Sequence, residues 1–273
     1  MIDTPPTALT IAGSDSGGGA GLQADLRTFF ACGVHGMAAV TAVTVQNSLG
    51  VTGVVEIPAK TVAAQIKAVA DDIGVGAAKT GMLATAEIIS AVATACRDAG
   101  IGVGGNVPLV VDPVAASMHG DPLLRDDALD AIRTELFPLA NLVTPNTDEV
   151  ALLTGISVVD RETQRAAAAA LHKLGPQWTL AKGGHLEHEP ECVDVLFDGT
   201  QFTELTEKRI ATKHTHGGGD TMASAITSAL ARGADMPSAL RFGKEFVTNA
   251  VAHSYPLGAG VGPVSPFFQL SAS

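Results

Sequence analysis

The stretch that decides the fold reads His214-Thr215-His216-Gly217-Gly218-Gly219-Asp220 and runs directly into the small residues Thr221-Met222-Ala223-Ser224-Ala225-Ile226. Three glycines permit a tight backbone turn, and the residues after them predict a helix that begins at the same place. Because the first N–H groups of a helix lack intrahelical partners, this helix end suits an anion such as phosphate. Asp220 would place a carboxylate beside that anion, as a base for a phosphoryl acceptor requires. A flexible loop that ends in an Asp N-cap explains the same residues equally well.

The composition favours a large α/β domain and argues against nucleic-acid binding. Of the 273 residues, 46% are hydrophobic and 16% are charged, which is enough apolar content to bury a sizeable core. The formal net charge is -11, and the chain has 30 glycines but only nine Phe, one Tyr and one Trp. Nucleic-acid partners require a basic surface and stacking aromatic side chains, so no such partner is expected.

Cysteine usage and the N-terminus predict a cytoplasmic protein without a membrane partner. Cys32, Cys96 and Cys192 are odd in number, far apart and without CxxC spacing, so we expect reduced thiols and neither a disulfide framework nor a zinc site. The residues from Met1 to Pro6 form neither a basic n-region nor an apolar h-region. No apolar run approaches the roughly 18 residues that a transmembrane helix needs.

Strand-like apolar runs alternate with helical spacing along most of the chain, which predicts a mainly parallel sheet covered by helices on both faces. The first unit is a strand over 8–12, a glycine-rich loop over 13–21 and a helix from Leu22 to Cys32. Neither GxGxxG nor GxxxxGK[ST] fits that loop, which argues against a dinucleotide-binding fold and a P-loop. Further on, Asp198-Gly199 predicts a hairpin, and the residues 209–212 predict one more strand.

Polar residues follow several of the predicted strands. Gln46 ends a β-branched run, Asp112 follows Leu109-Val110-Val111, and Asn146 follows another short strand. Open α/β sheets bind their ligands beyond the carboxyl ends of the strands. These positions are therefore candidates for the lining of a ligand cleft.

Seven blocks of sequence resemble the hydroxymethylpyrimidine and phosphomethylpyrimidine kinases of thiamine synthesis. The resemblance extends over about residues 8 to 268, and it is specific because the blocks occur in the family's order. The blocks are GSDSGGGAGLQAD at 13–25, QN at 46–47, KTGML at 79–83, VDPV at 111–114, TPNTDE at 144–149, KGGH at 182–185 and HGGGD at 216–220.

The resemblance implies a fold and an activity. The fold is a ribokinase-like three-layer sandwich, with a central, mainly parallel sheet flanked by helices, and we expect one kinase domain over 1–273. The activity is ATP-dependent phosphorylation of 4-amino-5-hydroxymethyl-2-methylpyrimidine and then of its monophosphate, which gives the diphosphate. ATP and Mg²⁺ are implied as co-substrate and cofactor, and a homodimer as the common assembly.

The resemblance also implies the site residues. Asp220 matches the position of the base, and the backbone around Gly217, Gly218 and Gly219 would hold the transferred phosphoryl group. Glu149 and Asp112 would organise the metal, with Asp112 acting through water. The implied contacts are Gly13, Ala20, Asp25, Gln46, Met82 and Val114 for the pyrimidine, and Asn146, Lys182, Thr215 and Lys244 for ATP.

Ordinary structural roles also explain single members of this set. Met82 taken alone is more often a core residue than a ligand contact. Asp25 and Glu149 could be acids in the first turn of a helix, where the helix dipole favours negative charge. The ordered set of blocks, and not any one residue, favours the functional interpretation.

One departure from the family pattern concerns the acceptor side of the site. Many members of the family carry Gly-Thr-Gly-Cys where this chain has Gly217-Gly218-Gly219-Asp220. A carboxylate is ionised at pH 7 and an unperturbed thiol mostly is not, so Asp220 makes proton abstraction easier to explain. The same change could alter which ring is preferred, so a pyridoxal or pyridoxine kinase of the same fold is the alternative. A non-catalytic ligand sensor is a third hypothesis. The presence of Asp220, Lys182 and Glu149, which a kinase would need, argues against it.

Overall fold

A computed structural model describes residues 4–115, 126–184, 186 and 190–272. The strands are β1 Thr7–Ser14, β2 His35–Asn47, β3 Gly50–Glu56, β4 Ala77–Thr80, β5 Leu109–Val111, β6 Leu142–Val143, β7 Trp178–Ala181, β8 Glu191–Phe197 and β9 Phe202–Lys208. The α-helices are α1 Gly21–Ala31, α2 Ala59–Asp72, α3 Ala86–Asp98, α4 Asp126–Ala131, α5 Thr147–Thr154, α6 Arg161–His172, α7 Gly218–Ala231 and α8 Met236–Ala252.

All of these strands join one sheet in the order β3-β2-β1-β4-β5-β6-β7-β8-β9. The pairs from β2 through β7 are parallel, whereas β3 at one edge and β8 and β9 at the other are antiparallel to their neighbours. The predicted fold class, a mainly parallel sheet in a ribokinase-like sandwich, is confirmed.

Helices cover both faces of the sheet because the central strands are apolar on both sides. Leu9 and Ile11 of β1 pack into the larger core cluster with α2, α3 and α6, while Ala8 faces the opposite side with α1, α7 and α8. Val110 of β5 points toward α7 and α8 in the same alternating way. Each fully buried Leu or Ile in these layers contributes roughly 1.5–3 kcal/mol of hydrophobic stabilisation.

Parallel pairing brings the carboxyl ends of the central strands to one edge of the sheet. The residues that follow β1, β4, β5, β6 and β7 therefore meet there, in the arrangement that forms a ligand cleft in open α/β sheets. Helix α7 begins at the same edge, after a turn at Gly217 whose φ is 76°. No helix in the described part of the chain is long and apolar enough to cross a membrane.

The hairpin predicted at Asp198-Gly199 is confirmed, but the strand predicted over 209–212 is wrong. Asp198 forms the turn, since its carboxylate accepts the backbone N–H groups of Thr200 and Gln201 at 2.7 Å each. The strand after the turn is β9, which pairs with β8 from Phe197↔Phe202 to Glu191↔Lys208. The pairing ends where β8 begins, so residues 209–212 have no strand to join there.

Helix α5 begins within the polar block that follows β6, so Glu149 lies in the first turn of a helix, as its alternative structural role predicted. Helix α4 is followed by a π-helical turn, Ile132–Leu136, in which the N–H of Phe137 bonds to the carbonyl of Ile132. A 3₁₀ turn, Phe137–Leu139, follows directly, and Pro138 within its start has no N–H with which to extend the wider helix.

Candidate active site

A cavity of about 1190 Å³ opens at the carboxyl ends of the parallel strands. Every site residue predicted from the sequence lines it except Asp25. The predicted residues in the cavity wall are Gly13, Ala20, Gln46, Met82, Asp112, Val114, Asn146, Glu149, Lys182, Thr215, Gly217, Gly218, Gly219, Asp220 and Lys244. His185, the last residue of one of the seven blocks, lies outside the described residues.

The glycine turn places the N-terminus of α7 at the wall of this cavity. Gly217 is the N-cap, with a left-handed backbone and no side-chain cap. Its carbonyl accepts the N–H of Thr221 at 2.9 Å, while the N–H of Gly218 donates to Thr215 at 3.1 Å. By helix geometry the N–H groups of Gly219 and Asp220 have no intrahelical acceptor. The N–H groups of Gly219 and Asp220 are therefore the candidate donors of the anion site that the sequence suggested.

Asp220 occupies the first turn of α7 and its side chain is 14% exposed. The Nζ of Lys79 lies 3.6 Å from its Oδ1. Burial raises the pKa of Asp220 to about 6, and this effect exceeds the opposing one of Lys79. The carboxylates of Asp25 and Asp112 also raise this pKa, whereas a hydrogen bond from the Gly21 N–H lowers it.

Asp25 lies behind the cavity, where it neutralises Lys79. Its two carboxylate oxygens accept hydrogen bonds from Lys79 Nζ at 2.7 Å and from the hydroxyls of Thr10 and Ser224 at 2.6 Å each. The side chains of Asp25 and Lys79 are both 0% exposed. A buried ammonium without a partner would be very costly, which accounts for this placement. The structure thus does not bring Asp25 to the wall of the cavity.

Lys79 is a charged member of the site that sequence reasoning did not single out. Burial alone would lower the pKa of its ammonium, but Asp25, Asp220 and Asp112 raise the pKa above its ordinary value. The lysine therefore keeps its positive charge beside the carboxylate of Asp220. Its signal in the sequence was a charged residue directly after Ala77 and Ala78 in the short strand β4, where burial with a partner is the usual outcome.

The NxxE pair forms a capping box at the start of α5. The Asn146 side chain accepts the N–H groups of Asp148 and Glu149 at 3.0 Å each, and Glu149 Oε2 accepts the N–H of Asn146 at 2.8 Å. Glu149 Oε1 also accepts the N–H of Ala115 at 3.2 Å. These bonds fix the Glu149 carboxyl group at the cavity wall.

Asp112, Glu149 and Lys182 form a buried charge cluster next to that helix end. Lys182 Nζ donates to Asp112 Oδ1 at 3.2 Å, and Thr144 donates to the same oxygen at 3.1 Å. Burial raises the pKa of Glu149 to about 7, against the effect of Lys182, and Asp112 adds to the rise. A Cβ on Gly219 would lie 3.2 Å from Lys182 Nζ, so the lysine sits directly against the glycine turn.

Lys244 enters the cavity from α8 and is held by β8. Its Nζ donates to Asp194 Oδ2 at 2.8 Å, and the other oxygen of Asp194 accepts the N–H of Gly183 at 2.8 Å. Cys192 Sγ lies 3.4 Å from the same Nζ. Sequence reasoning missed Asp194, whose signal was an acid between Val193 and Val195 in a strand with buried side chains on both faces.

Another part of the cavity wall is apolar and carries one amide side chain. A Cβ on Gly13 would come within 2.5 Å of the Met82 side chain, so the glycine makes room for the methionine. Val114 has a φ of 44°, a left-handed conformation that is rare for a β-branched residue and is often found at functional sites. The Gln46 side chain accepts a hydrogen bond from the Thr44 hydroxyl at 3.2 Å.

The fold and the cavity together define a class, the kinases of the ribokinase-like fold. A family model described as phosphomethylpyrimidine kinase matches residues 15–265. The chain belongs to this family.

Individual relatives and solved structures are similar to the chain over nearly all of its length. The chain is 58% identical over 268 residues to a hydroxymethylpyrimidine/phosphomethylpyrimidine kinase of Mycobacterium bovis, a match that covers 98% of this chain and 96% of the relative. An ADP complex of Bacillus subtilis pyridoxal kinase superposes with a TM-score of 0.88 and 37% identity, covering 99% and 100% of the two chains. A phosphomethylpyrimidine kinase of Clostridium difficile 630 gives a TM-score of 0.78 and 38% identity over 90% and 99%.

Proposed function

We propose that this kinase uses ATP to phosphorylate 4-amino-5-hydroxymethyl-2-methylpyrimidine and then the resulting monophosphate, for thiamine biosynthesis. The observation that carries the proposal is the position of Asp220, a buried carboxylate at the first turn of α7 that faces the cavity and has Lys79 beside it. The 58% identity to kinases of this name supports the choice of substrate.

In the first step, Asp220 accepts the proton of the acceptor's hydroxymethyl group. The acceptor oxygen then bonds to the γ-phosphorus of ATP, and the bond from that phosphorus to the bridging oxygen of ADP breaks. The N–H groups of Gly219 and Asp220 donate to the oxygens of the transferred phosphoryl group, where negative charge is spread. The second step has a phosphate as its acceptor and requires no strong base.

Lys182, Lys244 and Thr215 bind the nucleotide phosphates in this proposal. Asp112 and Glu149 fit Mg²⁺, which prefers carboxylate oxygens and keeps several waters or phosphate oxygens as further ligands. The described residues contain no cluster of three or more His, Cys, Asp or Glu side chains able to hold a metal alone. This matches an ion that arrives with the nucleotide, where it would neutralise phosphate charge. Asn146 contributes by fixing Glu149 through the capping box.

The pyrimidine lies at the end of the cavity formed by Gly13, Ala20, Met82 and Val114. Apolar contacts cover the faces of the ring, and Gln46 offers a donor and an acceptor to its edge. Asp25 does not reach the cavity, so we infer that it acts on the site indirectly, by holding Lys79 beside Asp220. This is a weaker role than the direct contact that the family resemblance implies.

Pyridoxal kinase activity is the second candidate. It is favoured by the TM-score of 0.88 to the Bacillus subtilis pyridoxal kinase and by the carboxylate at position 220 in place of the family's cysteine. The two ring substrates differ in the hydrogen-bonding groups around the edge that Gln46 would contact.

Steady-state assays with ATP and each acceptor in turn test the proposal. We expect kcat/KM for the pyrimidine and its monophosphate to exceed that for pyridoxal by about tenfold or more, because a ring whose edge does not match its hydrogen-bonding partners leaves polar groups unpaired. A preference for pyridoxal would establish the second candidate instead. Binding of the pyrimidine without release of ADP would identify a ligand sensor.

Three further predictions accompany this function. We infer one kinase domain over 1–273, a homodimer and a cytoplasmic location, as the sequence and the family resemblance suggest. Sedimentation velocity of the purified protein measures the assembly, and a monomer at micromolar concentration would contradict the homodimer.

A further inference from the structure

Two glycine turns from opposite ends of the chain touch each other at the cavity. The first turn comprises residues 17–21, between β1 and α1, and the second comprises residues 217–219. A Cβ on Gly217 would overlap the carbonyl oxygen of Gly19, and a Cβ on Gly19 would overlap the ring of His216. Side chains at either position would therefore push the two turns apart.

Asp15 organises the first turn from inside. Its Oδ1 accepts the N–H of Gly17 at 2.7 Å, and its Oδ2 accepts those of Gly19 at 2.9 Å and Ala20 at 2.8 Å. The residue is 2% exposed. A turn of this kind often binds a phosphate with such N–H groups, but here the chain's own carboxylate takes them. The first turn is therefore a rigid internal structure and not a second anion site.

His216 connects this carboxylate to the second turn. Its Nε2 lies 3.0 Å from Asp15 Oδ2, across 201 positions of sequence. The backbone of His216 is fixed as well, since its N–H donates to Gly262 at 3.2 Å and its carbonyl accepts the N–H of Val264 at 3.0 Å. The ring and the backbone of the residue that precedes Gly217 are thus held on three sides.

The Asp15 carboxyl group is suited to this role. Burial alone would raise its pKa, but hydrogen bonds from His216 and from the N–H groups of Ala20 and Gly17 lower the pKa below its ordinary value. The group is therefore a carboxylate at neutral pH, and it accepts four hydrogen bonds. An amide in its place would offer one acceptor oxygen and would point an NH₂ group at backbone donors.

We propose that Asp15 and His216 are positioning residues for phosphoryl transfer, joined in a clamp that sets the start of α7 against the acceptor end of the cavity. The two residues contact both the start of α7 and the acceptor end of the cavity. His216 precedes the N-cap Gly217, while Ala20, bonded to Asp15, lines the acceptor end. The N–H of Gly21 also hydrogen-bonds Asp220. This inference rests on the proposed kinase function.

Displacement of the clamp would shift the donors of Gly219 and Asp220 relative to the acceptor oxygen. Misplacement of reacting groups by about 1 Å costs on the order of 100-fold in rate. Of the proposed ATP contacts, Lys182 and Lys244 come from other elements and only Thr215 adjoins His216, so ATP binding would change less than turnover. A clamp that only stabilised the fold would leave the turnover of folded protein unchanged.

The test compares Asp15→Asn and His216→Ala with the controls Asp71→Asn and His253→Gln, which change exposed residues away from the cavity. We expect kcat for the pyrimidine to fall on the order of 10- to 100-fold in both clamp variants, with the KM for ATP within about twofold of wild type. The double variant should lose no more than the stronger single one, because the two side chains act through one contact. Wild-type turnover in both clamp variants, at temperatures where circular dichroism shows them folded, would overturn the clamp.

Gly19→Ala is a second route to the same answer if Asp15→Asn does not fold. It changes neither member of the pair and displaces the His216 ring by contact alone. We expect the same fall in kcat, and His216→Gln, which keeps a donor, should retain more activity than His216→Ala. A loss of thermal stability without a loss of kcat would show a structural role only. If the wild type itself fails to phosphorylate the pyrimidine, the proposed function fails and not the clamp.

Discussion

Asp220 is subject to opposing electrostatic effects. The low-dielectric surroundings favour its protonated form, while the ammonium of Lys79 favours the carboxylate. The outcome, a pKa of about 6, leaves the group mostly ionised at pH 7 and a stronger base than an ordinary aspartate. A cysteine at the same position would meet the same lysine, so Lys79 suits either residue as the base.

Removal of this base is expected to abolish most of the first step. Asp220→Asn keeps the shape of the side chain, so we expect kcat for the pyrimidine to fall by about 10²- to 10⁴-fold while ATP binding is nearly unchanged. In the wild type, kcat should fall as the pH drops through about 6, because protonated Asp220 cannot accept a proton. Steady-state rates from pH 5 to 8 measure both effects. Full activity of the variant would contradict the assignment of the base.

The sequence indicates little about which side chains in the site pair with one another. The order of the blocks led to Asp220, Lys182 and Glu149, but nothing in their spacing indicates that Asp25 pairs with Lys79. That pair forms because α1, which carries Asp25, packs on β1, and β1 lies next to β4 in the sheet. Both side chains are closed off from water. Contacts of this kind depend on the three-dimensional arrangement and leave no periodic signal in the sequence.

At the scale of elements, α5 combines a structural motif with a proposed site. The capping box of Asn146 and Glu149 satisfies N–H groups at the helix start and also holds a carboxyl group at the cavity. Helix α6 begins with an equivalent capping box at Asp160 and Thr163, away from the cavity. The two helices therefore form a matched pair for separating stability from function.

Alanine at each cap is expected to cost the same stability but not the same activity. Asn146→Ala and Asp160→Ala should each lower the free energy of unfolding by about 1 kcal/mol, because each removes a side-chain acceptor for helix N–H groups. Only Asn146→Ala should raise the KM for ATP and the Mg²⁺ concentration needed, since it loosens the helix start that positions Glu149 at the cavity. Urea unfolding and ATP titrations measure the two quantities. Equal kinetic effects in both variants would count against a metal role for the α5 end.

The sequence predicted regular elements well and short or exposed ones poorly. The predicted run Leu109-Val110-Val111 forms a strand with those bounds, because a buried parallel strand has a continuous apolar run. The last strand was predicted over 209–212 but is β9, Phe202–Lys208. Its exposed side chains, such as Glu204 and Lys208, interrupt the apolar alternation that identifies a strand. Charged residues are common on edge strands, where they discourage pairing with other chains.

At the scale of the whole molecule, the buried acids of the site oppose the stability of the fold. A carboxyl group whose pKa is raised on folding stabilises the protein below its unfolded pKa, and this contribution is lost as the pH rises through the folded value. For Asp220 the window runs from 3.8 to about 6, and the folded protein then carries a buried charge at neutral pH. The buried charge of Asp220 thus lowers the free energy of unfolding of the whole protein at neutral pH.

Asp220→Asn is therefore expected to stabilise the protein at pH 8 and not at pH 4. The expected gain is about 3 kcal/mol at most, since the pKa shift from 3.8 to about 6 is roughly two units and one unit corresponds to about 1.4 kcal/mol. Urea unfolding of the wild type and the variant at both pH values measures it. The exposed substitution Asp71→Asn should show no such difference between the two pH values, and an equal gain at pH 4 and pH 8 would contradict the electrostatic explanation.

The overall class of fold could be predicted from the alternation of strands and helices, whereas the order of strands could not. β1 lies between β2 and β4, and nothing local in the sequence indicates which neighbour each strand selects. The position of the site followed from a general property of parallel sheets. The detailed arrangement of Asp15, His216 and Lys79 needed the structure.

The contact between the two glycine turns also has a consequence for biosynthesis. Asp15 meets His216 across 201 positions, and Asp25 meets Ser224 across 199. Contacts of such long range close late and slow the folding of a chain. On the ribosome, where N-terminal segments emerge and fold first, the strands from β1 to β7 can assemble while the second turn is still unmade. The nascent protein thus acquires its transfer site only near the end of translation, when α7 docks against the first residues that were synthesised.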